Sequence, residues 1–401
     1  MKIALLSYEY PPQTGFGGIG SYTWHHARGL QQLGHEVHVL AGAQQAQALH
    51  TVDDQGVLVH RFWAGDAAMQ CLGAVGRLGW WWTRQRLQNA WSMARGLTLL
   101  QRQHRFDVLE MPECGAEGAL LSRRMPERCV VRLHSPAQLI MPFYDVRSGD
   151  MRWCARVERQ ALQRATRLSA CSDFVAKETA RAVGLAGSPP VISNGLDLGW
   201  FDAAQADHGL WRTLGLPADR AVVLFTGRLE KRKGAGLFGR IAARLLQTHD
   251  VSLVLAGDDL FGHLQREVLP ALDGLRLRGS LHHLGHRPIG EIRTLVQHCT
   301  VFLSPSLWEN CPYSVLEAMA AGRPVVAARQ GGMPELITDG EDGLLANTGD
   351  PEDFARKLGR LLDDGALRQR LGHAARATVV RRHQHTDIAR QALALYQQAP
   401  R

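Results

Sequence analysis

Glu309 and Glu317 stand with seven residues between them in "LSPSLWENCPYSVLEAMAAGRPVV", and "GRLEKRKG" gathers Arg228, Lys231, Arg232 and Lys233 into one short loop. A carboxylate accepts two O–H hydrogen bonds well, whereas Arg presents a planar fork of donors and Lys a compact charge, both suited to phosphate. A ligand that satisfies both sets carries a diphosphate and several neutral hydroxyls, which is the chemistry of a nucleotide sugar. Alone, each signal is weak: a Glu pair at this spacing arises by chance, and a basic loop is often only a solvated surface.

The flanking elements sharpen the signal. Val301–Ser304 reads as a strand leading into the loop that carries Glu309, and Pro312 stands at the first turn of a helix reaching Ala321. Gly322 and Pro324 stop that helix. Glu309 then lies in the loop and Glu317 inside the helix, while the amides of Tyr313 and Ser314 face an anion at the helix start. "RQGGMPELI" sets Gly331, Gly332 and Glu335 after the next strand, and "RAVVLFTG" is a strand running directly into the basic loop.

In the first half, "SYEYPPQTGFGGIGSY" contains Gly15-x-Gly17-x-x-Gly20, which matches a dinucleotide fingerprint literally. Its context does not fit. "EYPPQT" separates the strand from the glycines, and the next strand ends in Ala41-Gly42 where a ribose-binding acid is required. The remaining readings are a plain Gly-rich turn and an anion site at the N-terminus of a helix over Ser21–Leu33. His134, in "VRLHSP", follows a strand; Ser172, in "SACSDF", precedes an Asp as an ordinary helix cap does.

The elements that position these residues alternate strand and helix. Strands are expected at Ile3–Tyr8, Glu36–Ala41, Val57–Phe62, Asp107–Met111, Cys129–His134 and Arg167–Cys171, with helices including Met151–Ala165 and Phe174–Val183. "GLAGSPPVISNGLD" breaks the rhythm, and "RAVVLFTG", "VSLVLAG", "LHHLG", "CTVFLSPS" and "RPVVAAR" restart it. The fold class is α/β, with two Rossmann-like doubly wound domains facing across a cleft. Residues 1–194 are expected to form the first domain, 195–380 the second, and 381–401 a C-terminal helix packing back towards the first. No apolar run is long enough to span a bilayer and no signal-peptide cleavage site is visible, so a cytoplasmic location is expected. Seven scattered cysteines without a C-x-x-C pair point to reduced thiols and no metal site. The formal charge of +8, almost all arginine, favours anionic partners.

Taken together, "GGIGSY", "SNGLD", "GRLEKRKG" and the Glu309–Glu317 pair resemble the retaining glycosyltransferases of family 4, with the GT-B fold, over nearly the whole chain. The resemblance implies transfer of a sugar from a nucleotide diphosphate sugar to an acceptor hydroxyl, with retention, no metal and no cofactor beyond the donor. UDP-sugar is the expected donor, and a glycan, lipid-linked or natural-product acceptor the expected class. It implies catalytic roles for His134, Glu309, Arg228 and Lys233. Donor contacts fall to Gly17, Gly18, Ser172, Tyr313, Ser314 and Glu317 as well, with Gly18 against the phosphate, Glu309 on sugar hydroxyls and Glu317 on ribose. Where many relatives have Gly-Phe-Gly after the first Glu, this chain has Asn310-Cys311-Pro312, which moves phosphate contacts to Tyr313 and Ser314. Alternatives are a nucleotide-sugar epimerase of the same fold and a non-catalytic nucleotide-sugar-binding subunit.

Between Asp66 and Asp107 there is no acid, yet six arginines and Trp80, Trp81, Trp82 and Trp91 occur. A helix over 77–104 places Arg77, Arg84, Arg95 and Arg102 on one stripe, which reads either as a cationic solvent face or as peripheral contact with the inner membrane face. No nucleic-acid recognition element accompanies the arginines.

Overall fold

The computed structural model describes residues 1–15, 17–65, 79–121, 125, 128–203, 208–217, 219–275 and 279–398. The chain divides into two units, Met1–Asp197 with His385–Arg401, and Leu198–Gln384.

The first unit holds β1 (Lys2–Ser7), β2 (Glu36–Ala41), β3 (Gln47–Asp54), β4 (Val57–Trp63), β5 (Val108–Pro112), β6 (Cys129–Leu133) and β7 (Arg167–Ala170). Its sheet runs β3-β4-β2-β1-β5-β6-β7. All pairs are parallel except β3 with β4. β1, β2, β5, β6 and β7 are almost wholly buried, and all but β7 ("RLSA") are mostly apolar, the mark of a parallel sheet covered on both faces. The exposed edge strand β3 lacks that pattern. Helices α1 (Gly18–Gln32), α2 (Trp81–Leu100), α3 (Ser148–Arg164) and α4 (Asp173–Val183) belong to this unit.

Three expectations shift here. α1 begins at Gly18, so Gly17 is its N-cap and the glycines open the helix instead of preceding it. α2 spans Trp81–Leu100, shorter than the expected 77–104. Arg77 lies outside the described residues and Arg102 lies past the helix end; Arg84 is half-buried and Arg95 exposed.

The second unit holds β8 (Ala221–Thr226), β9 (Val251–Ala256), β10 (Leu281–Gly285), β11 (Val301–Ser304), β12 (Val325–Ala328) and β13 (Leu344–Ala346), in the order β10-β9-β8-β11-β12-β13. Every pair is parallel. Its helices are α5 (Ala235–Leu245), α6 (Ile289–His298), α7 (Tyr313–Ala320), α8 (Pro351–Asp363) and α9 (Gly365–Arg382). The core packs Phe225, Leu253, Leu303 and Val326 against Phe238, Ile241, Phe354 and Leu358. Among the described residues no helix is long and apolar enough to cross a membrane.

The last helix, α10 (His385–Tyr396), returns to the first unit and adds Ile388, Ala389, Ala392 and Tyr396 to its core. Residues 191–197 also belong there. Ala170 bridges Val191, the Arg132 guanidinium holds the carbonyls of Ile192 and Ser193, and the Asp197 amide meets His25 Nδ1 at 3.1 Å. Buried Tyr396 donates its hydroxyl to Glu110 Oε2 at 2.5 Å, and Tyr22 donates to Oε1 at 2.6 Å. Tyr396→Phe leaves a buried carboxylate oxygen short of a donor, and about 1–3 kcal/mol of stability should be lost. Urea unfolding that matches the parent would refute that role.

Candidate active site

In the second unit the strand order reverses between β8 and β11, where doubly wound sheets bind ligands beyond their C-terminal strand ends. The loop after β8 carries Arg228 to Lys233, and the loop after β11 carries Ser306 and Glu309. Gly227 (φ 135°) and Gly257 (φ 152°) end β8 and β9 back to back, and a side chain on Gly257 would strike the Gly227 carbonyl. Gly234 (φ 79°) then turns the chain into α5, leaving no room for a Cβ against the Pro305 carbonyl. That turn delivers Lys233 to Glu309.

Lys233 Nζ donates to Glu309 Oε1 in a short ion pair. Ser306 donates its hydroxyl to the same oxygen at 3.2 Å, and Arg232 Nη1 lies 3.6 Å from it. All three contacts converge on Oε1, which leaves Oε2 as the acceptor for another partner. Burial alone would raise the Glu309 pKa, but Lys233 and Arg232, with hydrogen bonds from Lys233 and Ser306, hold it below the usual carboxylate range. Burial in turn pulls the Lys233 pKa down, only partly offset by Glu309. Behind the pair, Glu230 binds Arg232 at 2.8 Å and approaches the half-exposed Arg228 at 3.7 Å. The Glu309 carbonyl accepts the Gly332 amide at 2.9 Å. Gly331 (φ 62°) presses so close to that carbonyl that a Cβ would collide with it.

Pro312 is the N-cap of α7, one position outside the helix, and the first intrahelical bonds run from Val315 and Leu316 to its carbonyl. The amides of Tyr313 and Ser314 precede those bonds at the positive end of the helix. Glu317 lies buried on α7, and burial, opposed by Arg293, pushes its carboxyl up to about 7. Arg228, Lys233, Glu309, Tyr313, Ser314 and Glu317 therefore all belong to the loops after β8 and β11 or to the helix that follows.

Gly17, Gly18, His134 and Ser172 belong to the first unit, after β1, β6 and β7. His134 is buried, its ring set edge-on against Tyr22 at 4.8 Å. Burial, then the charges of Arg132 and His26, force its pKa well down, so the imidazole is neutral. Its amide donates to both oxygens of Glu113, at 2.9 and 2.8 Å, and the Ser135 amide donates at 2.5 Å. Ser172 caps α4, its hydroxyl accepting from the Val175 amide at 3.2 Å. Gly17 packs on the Glu9 carboxylate, which accepts the Gly20 amide at 3.2 Å, whereas a Cβ at Gly18 would meet nothing within 4 Å among the described residues outside its own helix and chain neighbours.

Residues 16–200 match the model of Glycosyltransferase Family 4, and residues 212–378 that of Glycosyl transferases group 1, so the two run in order along most of the chain. The chain is a family 4 glycosyltransferase. The glycosyltransferase is 36% identical over 220 residues to a D-inositol 3-phosphate glycosyltransferase of Acidothermus cellulolyticus, a match spanning 51% of this chain and 48% of that one. The chain thus covers about half the length of that relative. It is 28% identical over 410 residues to an alpha-maltose-1-phosphate synthase of Mycobacterium tuberculosis, covering 99% of each. Among solved structures it is similar to a sucrose-phosphate synthase from Thermosynechococcus elongatus, with TM-score 0.79, 20% identity and coverage of 99% and 98%. The Anabaena protein HepE, solved with UDP and glucose, gives TM-score 0.71 at 22% identity, with coverage of 98% and 99%. These likenesses place the glycosyltransferase in the GT-B fold.

Sequence reasoning missed Glu9, Glu113, Ser306 and Arg293, whose importance lies in what they touch. It also passed over Glu36, His38 and His104, whose ligand atoms lie within 4.8 Å of one another. Lys2 bonds Glu36 at 2.8 Å and reaches His104 at 3.4 Å, so that cluster carries its own cation. In the candidate site, Gly331→Ala must strain the left-handed turn and displace Glu309. A loss of roughly 1–3 kcal/mol in chemical denaturation is expected, together with weaker donor binding. Parent-like values for both would show that the turn does not position Glu309.

Proposed function

We propose that this glycosyltransferase moves a sugar from a nucleoside diphosphate sugar, UDP-sugar being the expected donor, to an acceptor hydroxyl with retention of configuration and without a metal. The observation that carries this reading is the buried Lys233–Glu309 pair, with Glu309 Oε2 left to accept a hydroxyl. Arg228 and Lys233 supply the positive charge that a departing diphosphate needs. Glu309 and Glu317 accept hydroxyls of the sugar and the ribose, and the Tyr313 and Ser314 amides face a phosphate. HepE solved with UDP and glucose, and a starch synthase IV solved with ADP and acarbose, support a nucleotide-linked donor.

The expected route is front-face. The bond from the anomeric carbon to the leaving phosphate oxygen breaks, and negative charge grows beside Arg228 and Lys233. The acceptor hydroxyl adds on that same face and gives its proton to the leaving phosphate oxygen, so configuration is retained. Glu309, pinned as an anion by Lys233, orients the sugar instead of attacking it, and neutral His134 is the first-unit residue expected to contact the transferred group. Trapping a covalent sugar on Glu309 would overturn this route.

A thermal-shift panel of UDP, GDP and ADP sugars identifies the donor, because a ligand at about 100 times its Kd stabilises the native state by roughly 2.7 kcal/mol. Arg228→Ala and Glu309→Ala should each lower transfer by about 10²–10³-fold, and EDTA should leave it unchanged. Full activity in either variant removes that residue from the site, and donor turnover without any acceptor points to an epimerase.

The Glu317 carboxyl, near 7 before donor binds, must be ionised to accept two ribose hydroxyls. Donor affinity should therefore rise as pH increases through about 7, and Glu317→Gln should flatten that profile. A pH dependence shared by the Gln variant would assign it elsewhere.

A further inference from the structure

Helix α3 segregates its charges. Both acids face inward: Asp150 accepts the amides of Trp82 and Thr83 at 2.9 and 2.7 Å, and Glu158 pairs with Arg86 at 2.7 Å. Arg152, Arg156 and Arg159 occupy the exposed face at helical spacing, and none of the three forms an ion pair with a described residue. At the start of this face Trp153 is 48% exposed, with the Arg156 guanidinium 5.6 Å from its ring centroid. Trp81, at the start of α2, is 58% exposed, although its neighbours Trp80 and Trp82 pack against Trp153 and Tyr144. Beside them an open groove of about 580 Å³ runs along α3, lined by Arg152, Arg156, Arg159, Gln138, Gln160 and Met151 among others. Along α2 the exposed side continues with Trp91 and Arg95 and no acid.

We propose that this face docks on an anionic lipid bilayer, with the α3 arginines on headgroup phosphates and Trp81 and Trp153 at the interface. Arginines without a carboxylate partner match the charge of such a surface, although Arg159 already donates one N–H to the Ala182 carbonyl at 2.8 Å, and the groove has room and further N–H donors for a headgroup. The two indoles decide against a dissolved phosphate. A soluble anion uses the guanidiniums alone, whereas an apolar ring with a polar edge is at home where headgroups meet acyl chains. The segment singled out by its lack of acids contributes the edge of the face, and α3 contributes its centre. This inference goes beyond the donor reading and stands without it.

The test is flotation of the full chain with phosphatidylcholine vesicles, with and without phosphatidylglycerol. The chain should float only with the anionic lipid and be released as salt shortens the screening length. Replacing Arg152, Arg156 and Arg159 together by Ala should weaken partition by about 100-fold, at roughly fivefold per arginine. Trp81→Ala with Trp153→Ala should make the residual binding more salt-sensitive. Circular dichroism and melting temperature verify that each variant is folded, and a retained donor-induced shift separates this result from any failure of the donor reading. Flotation of the triple variant like the parent, no flotation with phosphatidylglycerol, or equal binding to a short DNA duplex overturns the proposal.

Discussion

Everything in the second unit's crevice is organised around two opposite charges placed where water is scarce. An isolated buried ion costs several kcal/mol even after relaxation, and the partner compensates only when geometry is good and the remaining lone pairs are satisfied. Lys233 and Glu309 meet the first condition through the backbone around them, and the second at Oε1, where Ser306 and Arg232 join Lys233, with Oε2 left for a further partner. Gly234 turns the lysine inward, Gly331 seats the chain after β12 on the Glu309 carbonyl, and Ser306 supplies a hydroxyl to the carboxylate. The segments following β8, β11 and β12 are thus held by one pair. Removing either partner strands the other charge, so the pair constrains fold and chemistry together.

The same constraint explains how two glutamates eight positions apart come to differ. Glu309 is surrounded by cations and held below the ordinary range, while Glu317 is buried with only Arg293 opposing and rises to about 7. Environments that push two like groups apart assign them separate tasks. In the first unit Glu113 follows the same logic. Burial and the nearby charge of Glu158 raise it to about 8, while the amides of His134 and Ser135 pull it back, so it holds backbone in place. His134 is positioned from behind by that carboxylate and kept neutral by burial.

Much of this was legible in the sequence because parallel sheets need unbroken apolar runs, and "VVLFT", "SLVLA" and "VFLS" contain little else. The strand–loop–helix frame around Glu309 could be read the same way, from a strand, a proline and a glycine. β3 was not legible, since "QALHTVDD" mixes polar and apolar residues on both faces and pairs antiparallel at an exposed edge. β13 is too short, at three residues, to show a pattern. Glu9 and Glu113 look like ordinary surface acids in a string of letters. Their roles come from amides that reach them from residues 11 and 21 positions away, and no local periodicity encodes such a meeting.

The glycine loop of the first unit shows the same limit. Its spacing matches a dinucleotide fingerprint, yet a Cβ at Gly17 would strike the Glu9 carboxylate, and one at Gly20 would crowd the Gly15 carbonyl and Glu9 Cβ. That carboxylate takes the Gly20 amide, so part of the helix's capacity to bind an anion is already used inside the protein. Gly18 differs: among the described residues beyond its own helix and chain neighbours, no atom lies within 4 Å of where its side chain would be. The fingerprint therefore divides: Gly17 answers to the Glu9 carboxylate, Gly20 to the Gly15 carbonyl and Glu9, and Gly18 to neither.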